Sequence, residues 1–92
     1  NDKYIEIYNP SSMPVDLSNY EVWKISNGGS WPEFNETLSG SLAAGDVYVI
    51  GNTNIGGNAN VDLVNGIASV NGDDTTQVRM NFSPITGSGE VV

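Results

Sequence analysis

Tyr4-Ile5-Glu6-Ile7-Tyr8-Asn9-Pro10 decides how the rest of the chain is read. Ile5 and Ile7 alternate with Tyr4, Glu6 and Tyr8. That period of two puts the isoleucines on one face of a strand and the other three on the opposite face. Pro10 has no N–H and a fixed φ, so the strand stops before it. The same grammar continues downstream. Val15-Asp16-Leu17 reads as a short extended piece, and Tyr20 to Ile25 as a strand rich in aromatic and β-branched residues. Asn27-Gly28-Gly29 is a turn, because Asn and Gly tolerate positive φ.

Phe34 to Leu38 forms the next strand. Leu42-Ala43-Ala44-Gly45-Asp46 turns into Val47-Tyr48-Val49-Ile50, a compact buried strand. Gly51 to Asn60 lacks periodicity and reads as a mobile loop. Val61 to Val64, an Asn65-Gly66 turn and Ile67 to Val70 read as a short hairpin. Asn71-Gly72-Asp73-Asp74 turns into Thr75 to Phe82, where Val78, Met80 and Phe82 share a face. Ser83 to Gly89 is a loop, and Glu90-Val91-Val92 begins a last strand. Short strands at this spacing, with no helical apolar stripe, predict an all-β sandwich or barrel. The predicted core is Ile5, Ile7, Leu17, Val22, Leu38, Leu42, Val47, Val49, Leu63, Val78 and Met80. A register error of one residue would instead turn Tyr4 and Tyr8 inward.

Composition narrows function by exclusion. The 92 residues hold no cysteine and no histidine, and three cations against eleven carboxylates give a net charge of −8. Thiol chemistry, disulfides and histidine general-base chemistry are therefore absent. Nucleic acid is excluded as a partner by charge, since its recognition draws on clustered Lys and Arg. Anionic lipid surfaces are disfavoured for the same reason. No apolar run is long enough to span a membrane as a helix. The length fits a single domain covering residues 1–92. The abrupt start at Asn1-Asp2-Lys3 suggests a fragment of a larger protein.

Three segments in order resemble the lamin-tail domain family. Tyr4-Ile5-Glu6-Ile7-Tyr8-Asn9-Pro10 with Pro14-Val15-Asp16-Leu17-Ser18-Asn19-Tyr20 is similar to its opening signature, although Asn19 stands where the family usually has glycine. Leu42-Ala43-Ala44-Gly45-Asp46-Val47-Tyr48-Val49-Ile50 is similar to its turn before a buried strand. Asn71-Gly72-Asp73-Asp74 is similar to a later turn. The resemblance implies an immunoglobulin-like antiparallel β-sandwich lacking one or both terminal edge strands. Self-association through open sheet edges then becomes possible. It also implies a bacterial, secreted or cell-surface setting. There the domain would be a non-catalytic accessory module that scaffolds or tethers, with a protein partner or other domains of the parent chain.

The signature residues make structural sense. Asn9 and Asp16 can bind local backbone at turns. Gly45 and Gly72 permit backbone conformations that a side chain forbids. Catalysis is not expected: Glu6, Glu33 and Glu36 are the carboxylates one would consider for a glycosidase pair, but a sandwich this small has no deep cleft to hold them. No cofactor is expected. Calcium is the one metal the residues suit, with Asn58, Asn60 and Asp62, or Asn71, Asp73 and Asp74, as oxygen donors. Turn-forming Asn and Asp are as readily explained by backbone capping. The alternative function is a carbohydrate-binding module using exposed aromatics. Tyr8, Trp23, Trp31 and Tyr48 are available, and Trp31 and Tyr8 are the ligand or partner candidates, because Trp23 sits mid-strand where sandwiches bury a large ring.

Overall fold

A computed structural model describes residues 1–55, 60–81 and 90–91. It is all-β. The strands are β1 (Tyr4–Tyr8), β2 (Val15–Asp16), β3 (Tyr20–Ser26), β4 (Phe34–Thr37), β5 (Ser41–Leu42), β6 (Val47–Gly51), β7 (Leu63–Val64), β8 (Asp74–Asn81) and β9 (Glu90–Val91). Short 3₁₀ turns occupy Leu17–Asn19 and Gly66–Ala68. The chain divides into two compact units. The first joins Asn1–Val15 to Leu42–Gly72, and the second joins Asp16–Ser41 to Asp73–Val92.

The first unit is built on the antiparallel β1–β6 ladder. Its register sets Ile5 opposite Ile50 and Ile7 opposite Tyr48, while Glu6 faces Val49 and Tyr8 faces Val47. The isoleucine face of β1 is the inner one, as the alternation predicts: Ile5 and Ile7 are half-buried, and Tyr4, Glu6 and Tyr8 are exposed. Strand β6 corrects the predicted core. Ile50 is fully buried, whereas Val47 is exposed and Val49 half-buried on the outer face with Glu6 and Tyr8. Every residue of Val47–Ile50 is apolar, so periodicity cannot choose a face, and the partner strand decides.

Strand β7 pairs with β6 in parallel, whereas β1–β6, β3–β4, β3–β8 and β8–β9 are antiparallel. The predicted hairpin over 61–70 is therefore replaced by a parallel strand followed by a 3₁₀ turn. The Asn65 carboxamide oxygen accepts from the Ile67 N–H at 2.8 Å, which caps that turn and draws Ile67 and Ala68 into the buried set. Leu63, by contrast, is only half-buried.

Two asparagines clamp the ends of the β1–β6 ladder. Asn9, 3% exposed, donates its amide to the carbonyls of Met13 (2.8 Å), Leu42 (3.0 Å) and Ala43 (3.2 Å). Its oxygen accepts from the Ser11 N–H and hydroxyl. Asn52, also 3% exposed, donates to the Asn1 carbonyl and the Ser69 hydroxyl, and accepts from the Lys3 and Ile55 N–H groups. The predicted mobile loop from Gly51 thus begins with an anchored residue. Gly45 sits at φ +74°, a left-handed position that the Gly45 N–H stabilises by donating to the Asn9 carbonyl at 2.8 Å. Gly72 differs from the expectation. Its φ lies outside the left-handed region and a Cβ there would meet open space, so its turn does not require glycine.

The second unit is a sheet in the order β4–β3–β8–β9. Asn27 (φ 52°) and Gly28 (φ 68°) form the predicted turn after β3, closed by the Gly29 N–H donating to the Ser26 carbonyl. The register places Trp23 opposite both Asn35 and Gln77, and Glu21 opposite Thr37 and Arg79. Those residues share one sheet face; Val22, Lys24 and Val78 share the other. Val22 is fully buried, as are nearly all of Leu17, Ile25 and Leu38, while Val78 and Met80 are half-buried. Lys24 lies with its ammonium 5.0 Å from the centre of the Phe34 ring, its cross-strand neighbour. Phe82 and the predicted loop 83–89 lie outside the described residues.

Candidate functional site

Two surfaces carry the side chains singled out from the sequence, one on each unit. On the first unit the outer face of β1 and β6 shows water a row of large side chains: Tyr4 (57% exposed), Tyr8 (60%) and Val47. Beside it opens a surface cleft of about 370 Å³, lined among the described residues by the apolar Val49, Ile55 and Val61 and by Asp2, Tyr4, Glu6 and Asn60. The cleft is an open surface one, and the expectation that no deep cleft holds a carboxylate pair concerns a different feature. Gly51 explains the surface cleft: a Cβ there would come within 3.1 Å of both Val61 methyls and 3.3 Å of Ile55. The bare glycine lets these two side chains close against the sheet and form a wall. Tyr8 lies outside this lining.

On the second unit Trp23 and Trp31 stack, with ring centroids 6.4 Å apart and planes inclined by 30°. The Arg79 guanidinium lies 4.0 Å from the centre of the Trp23 ring. Trp23 Nε1–H donates to Glu21 Oε1 at 2.6 Å, and the Asn35 amide donates to the same oxygen at 3.3 Å. Arg79 in turn donates to Gln77 Oε1 at 2.8 Å. Trp23 is half-buried, so it is neither the core ring that its mid-strand position suggested nor an isolated exposed one. Trp31 is 36% exposed, as expected. The participation of Arg79 and Gln77 is not visible in the sequence, because it depends on β3 pairing with β8 across some fifty intervening residues.

Several of the remaining candidates bond to the chain's own backbone. Asp16 Oδ1 accepts from the Ser18 hydroxyl at 2.6 Å and the Ser18 N–H at 3.0 Å, and these bonds hold its carboxyl below the usual aspartate range. Glu33 Oε1 accepts from the Ser26 N–H at 2.7 Å and so braces the β3–β4 loop. Of the calcium donors, Asp62 accepts from the Val49 N–H at 2.8 Å, and Asn71 accepts from the Lys3 ammonium at 2.6 Å. The backbone carbonyl of Asp73 accepts from the Asn27 N–H, and Asp74 opens β8 opposite Ser26. Asn60 lines the cleft, and Asn58 lies outside the described residues. Among the described residues no three Asp or Glu side chains come together as metal ligands, and no helix is long and apolar enough to cross a membrane.

A model of the Lamin Tail Domain family matches residues 1–90. Neither the curated proteins nor the solved structures give a match.

Proposed function

The chain belongs to the lamin-tail domain family, a family of immunoglobulin-like β-sandwich modules that are typically non-catalytic, and we propose that it works as an interaction module. It scaffolds or tethers the other parts of a larger secreted or surface-attached bacterial protein. The observation that carries this reading is how the polar residues are used. Asn9, Asn52, Asp16, Asp62 and Glu33 all point their hydrogen-bonding atoms at the chain's own backbone. Groups committed in this way stiffen a scaffold and are not free for proton transfer. Meanwhile Tyr4, Tyr8 and Val47 face water on the rigid β1–β6 ladder, and exposed aromatic residues on a stiff support are what an interface core uses.

Hydrogen exchange on the intact parent protein tests the proposal. Contact with neighbouring domains or a partner predicts added protection at Tyr4–Tyr8 and Val47–Val49 relative to the isolated chain. Tyr8→Asp should abolish that added protection. Equal exchange in the parent and the isolated chain would remove the basis for a tethering role.

A further inference from the structure

We propose that the tryptophan face of the second unit is a platform for a neutral polysaccharide. The proposal deepens the interaction reading above and rests on the module binding rather than reacting. Both tryptophans of the chain are on this face. Trp23 is fixed by its hydrogen bond to Glu21 and by the Arg79 guanidinium against its ring, and Trp31 packs on it. The rings are therefore held in place before a ligand arrives, which lowers the ordering cost of binding. The apolar face of a pyranose stacks on an indole, while its hydroxyls seek donors and acceptors at the rim.

The rim supplies both. The Asn35 amide N–H is committed to Glu21, and its carboxamide oxygen has no partner among the described residues. The Gln77 oxygen is committed to Arg79, which leaves the Gln77 amide N–H available. Asn35 and Gln77 flank Trp23 directly, one on each neighbouring strand. Thr37 and Thr75, both exposed, add hydroxyls on the same face.

Size and charge select the ligand. Trp31 is 36% exposed, and an indole is of a size to seat a single sugar ring. The chain's charge of −8 repels anionic glycans. The carboxylate on the platform, Glu21, is already engaged by Trp23 and Asn35, so nothing there calls for a cationic ligand.

The test is a titration of the chain with cellohexaose, xylohexaose, N-acetylchitohexaose and laminarihexaose, with hexagalacturonate as the anionic control, read by tryptophan emission. At least one neutral hexaose should give a saturable shift, and hexagalacturonate none. Trp31→Ala, checked for folding by circular dichroism, should weaken binding by about tenfold or more. The double variant Asn35→Ala/Gln77→Ala keeps both rings and should also weaken it, while Tyr8→Ala on the first unit leaves it unchanged. The proposal is overturned if no neutral hexaose produces a saturable change, if hexagalacturonate binds as tightly, or if binding survives both the Trp31 and the Asn35/Gln77 variants. None of these results bears on protection at Tyr4–Tyr8, so the platform and the tether fail separately.

Discussion

Replacing Asn9 by alanine should cost about 1.5–4.5 kcal/mol of folding stability, and the arithmetic comes from its hydrogen bonds. The side-chain amide has two protons and three carbonyls within 3.2 Å: Met13, Leu42 and Ala43. Two bonds' worth of donation is therefore shared among three acceptors. The Leu42 bond is buried, so truncation strands that carbonyl without water, at about 1–3 kcal/mol. The other donation is only part-buried. Water can replace it there, leaving the net value of an ordinary bond, about 0.5–1.5 kcal/mol. The Ser11 groups that Asn9 accepts from sit in a surface turn and rehydrate cheaply.

Against a total stability of about 5–15 kcal/mol this is a large loss. Urea denaturation followed by circular dichroism and tryptophan emission reads it directly. With a slope of about 1 kcal/mol/M, the midpoint should fall by ~1.5–4.5 M. Asn9→Asp sharpens the test, because it keeps the acceptor for Ser11 but replaces the donor with a second oxygen facing three carbonyls. At neutral pH it should be at least as destabilising as alanine. A loss below about 0.5 kcal/mol for alanine, or tolerance of aspartate, would refute the claim that this amide holds the turn.

Three further outcomes are expected. Ile50→Ala should destabilise by about 2–5 kcal/mol in the same urea assay, since Ile50 is fully buried; a loss under 1 kcal/mol would mean the site collapses freely. Gly45→Ala should cost roughly 1–2 kcal/mol because its φ is +74°, whereas Gly72→Ala, with open space and no left-handed backbone, should be neutral or stabilise by up to about 1 kcal/mol; equal effects would contradict the two assignments. Asp16 titrates below the usual aspartate range because its charged form accepts from Ser18. A depressed folded-state pKa gives a contribution that is complete above the unfolded value and lost as pH falls through the folded one. Carboxyl NMR should therefore show Asp16 protonating at lower pH in the folded chain than in the urea-unfolded chain, and Ser18→Ala should bring the two values together.

How much was legible in the sequence follows from what each signal depends on. Alternation within β1 fixed the faces of Ile5, Ile7, Tyr4 and Tyr8 because polar and apolar residues take turns there. In β6 all four residues before Gly51 are apolar, and only pairing with β1 shows that Ile50 is inside and Val47 outside. Asn27-Gly28 was readable as a turn because both residues carry the positive φ that their types permit. The hairpin expected over 61–70 failed because Asn65 caps a 3₁₀ turn, a local bond that competes with strand extension. The lesson of the candidate sites is similar. Trp31 was readable as an exposed ring from its place after a glycine turn. Its partnership with Trp23 and Arg79 depends on the β3–β8 pairing, which no local pattern encodes. The clamp at Asn52 was hidden inside a segment whose composition signals only a loop.

The central claim is that the buried carboxamides of Asn9 and Asn52 are locked onto the chain's own backbone. Solvent exchange of the side-chain NH₂ groups, followed by ¹H–¹⁵N NMR, tests it most directly. Asn9 and Asn52 should exchange at least about tenfold more slowly than exposed Asn19. Exchange of Asn9 and Asn52 at the rate of Asn19 would contradict the account.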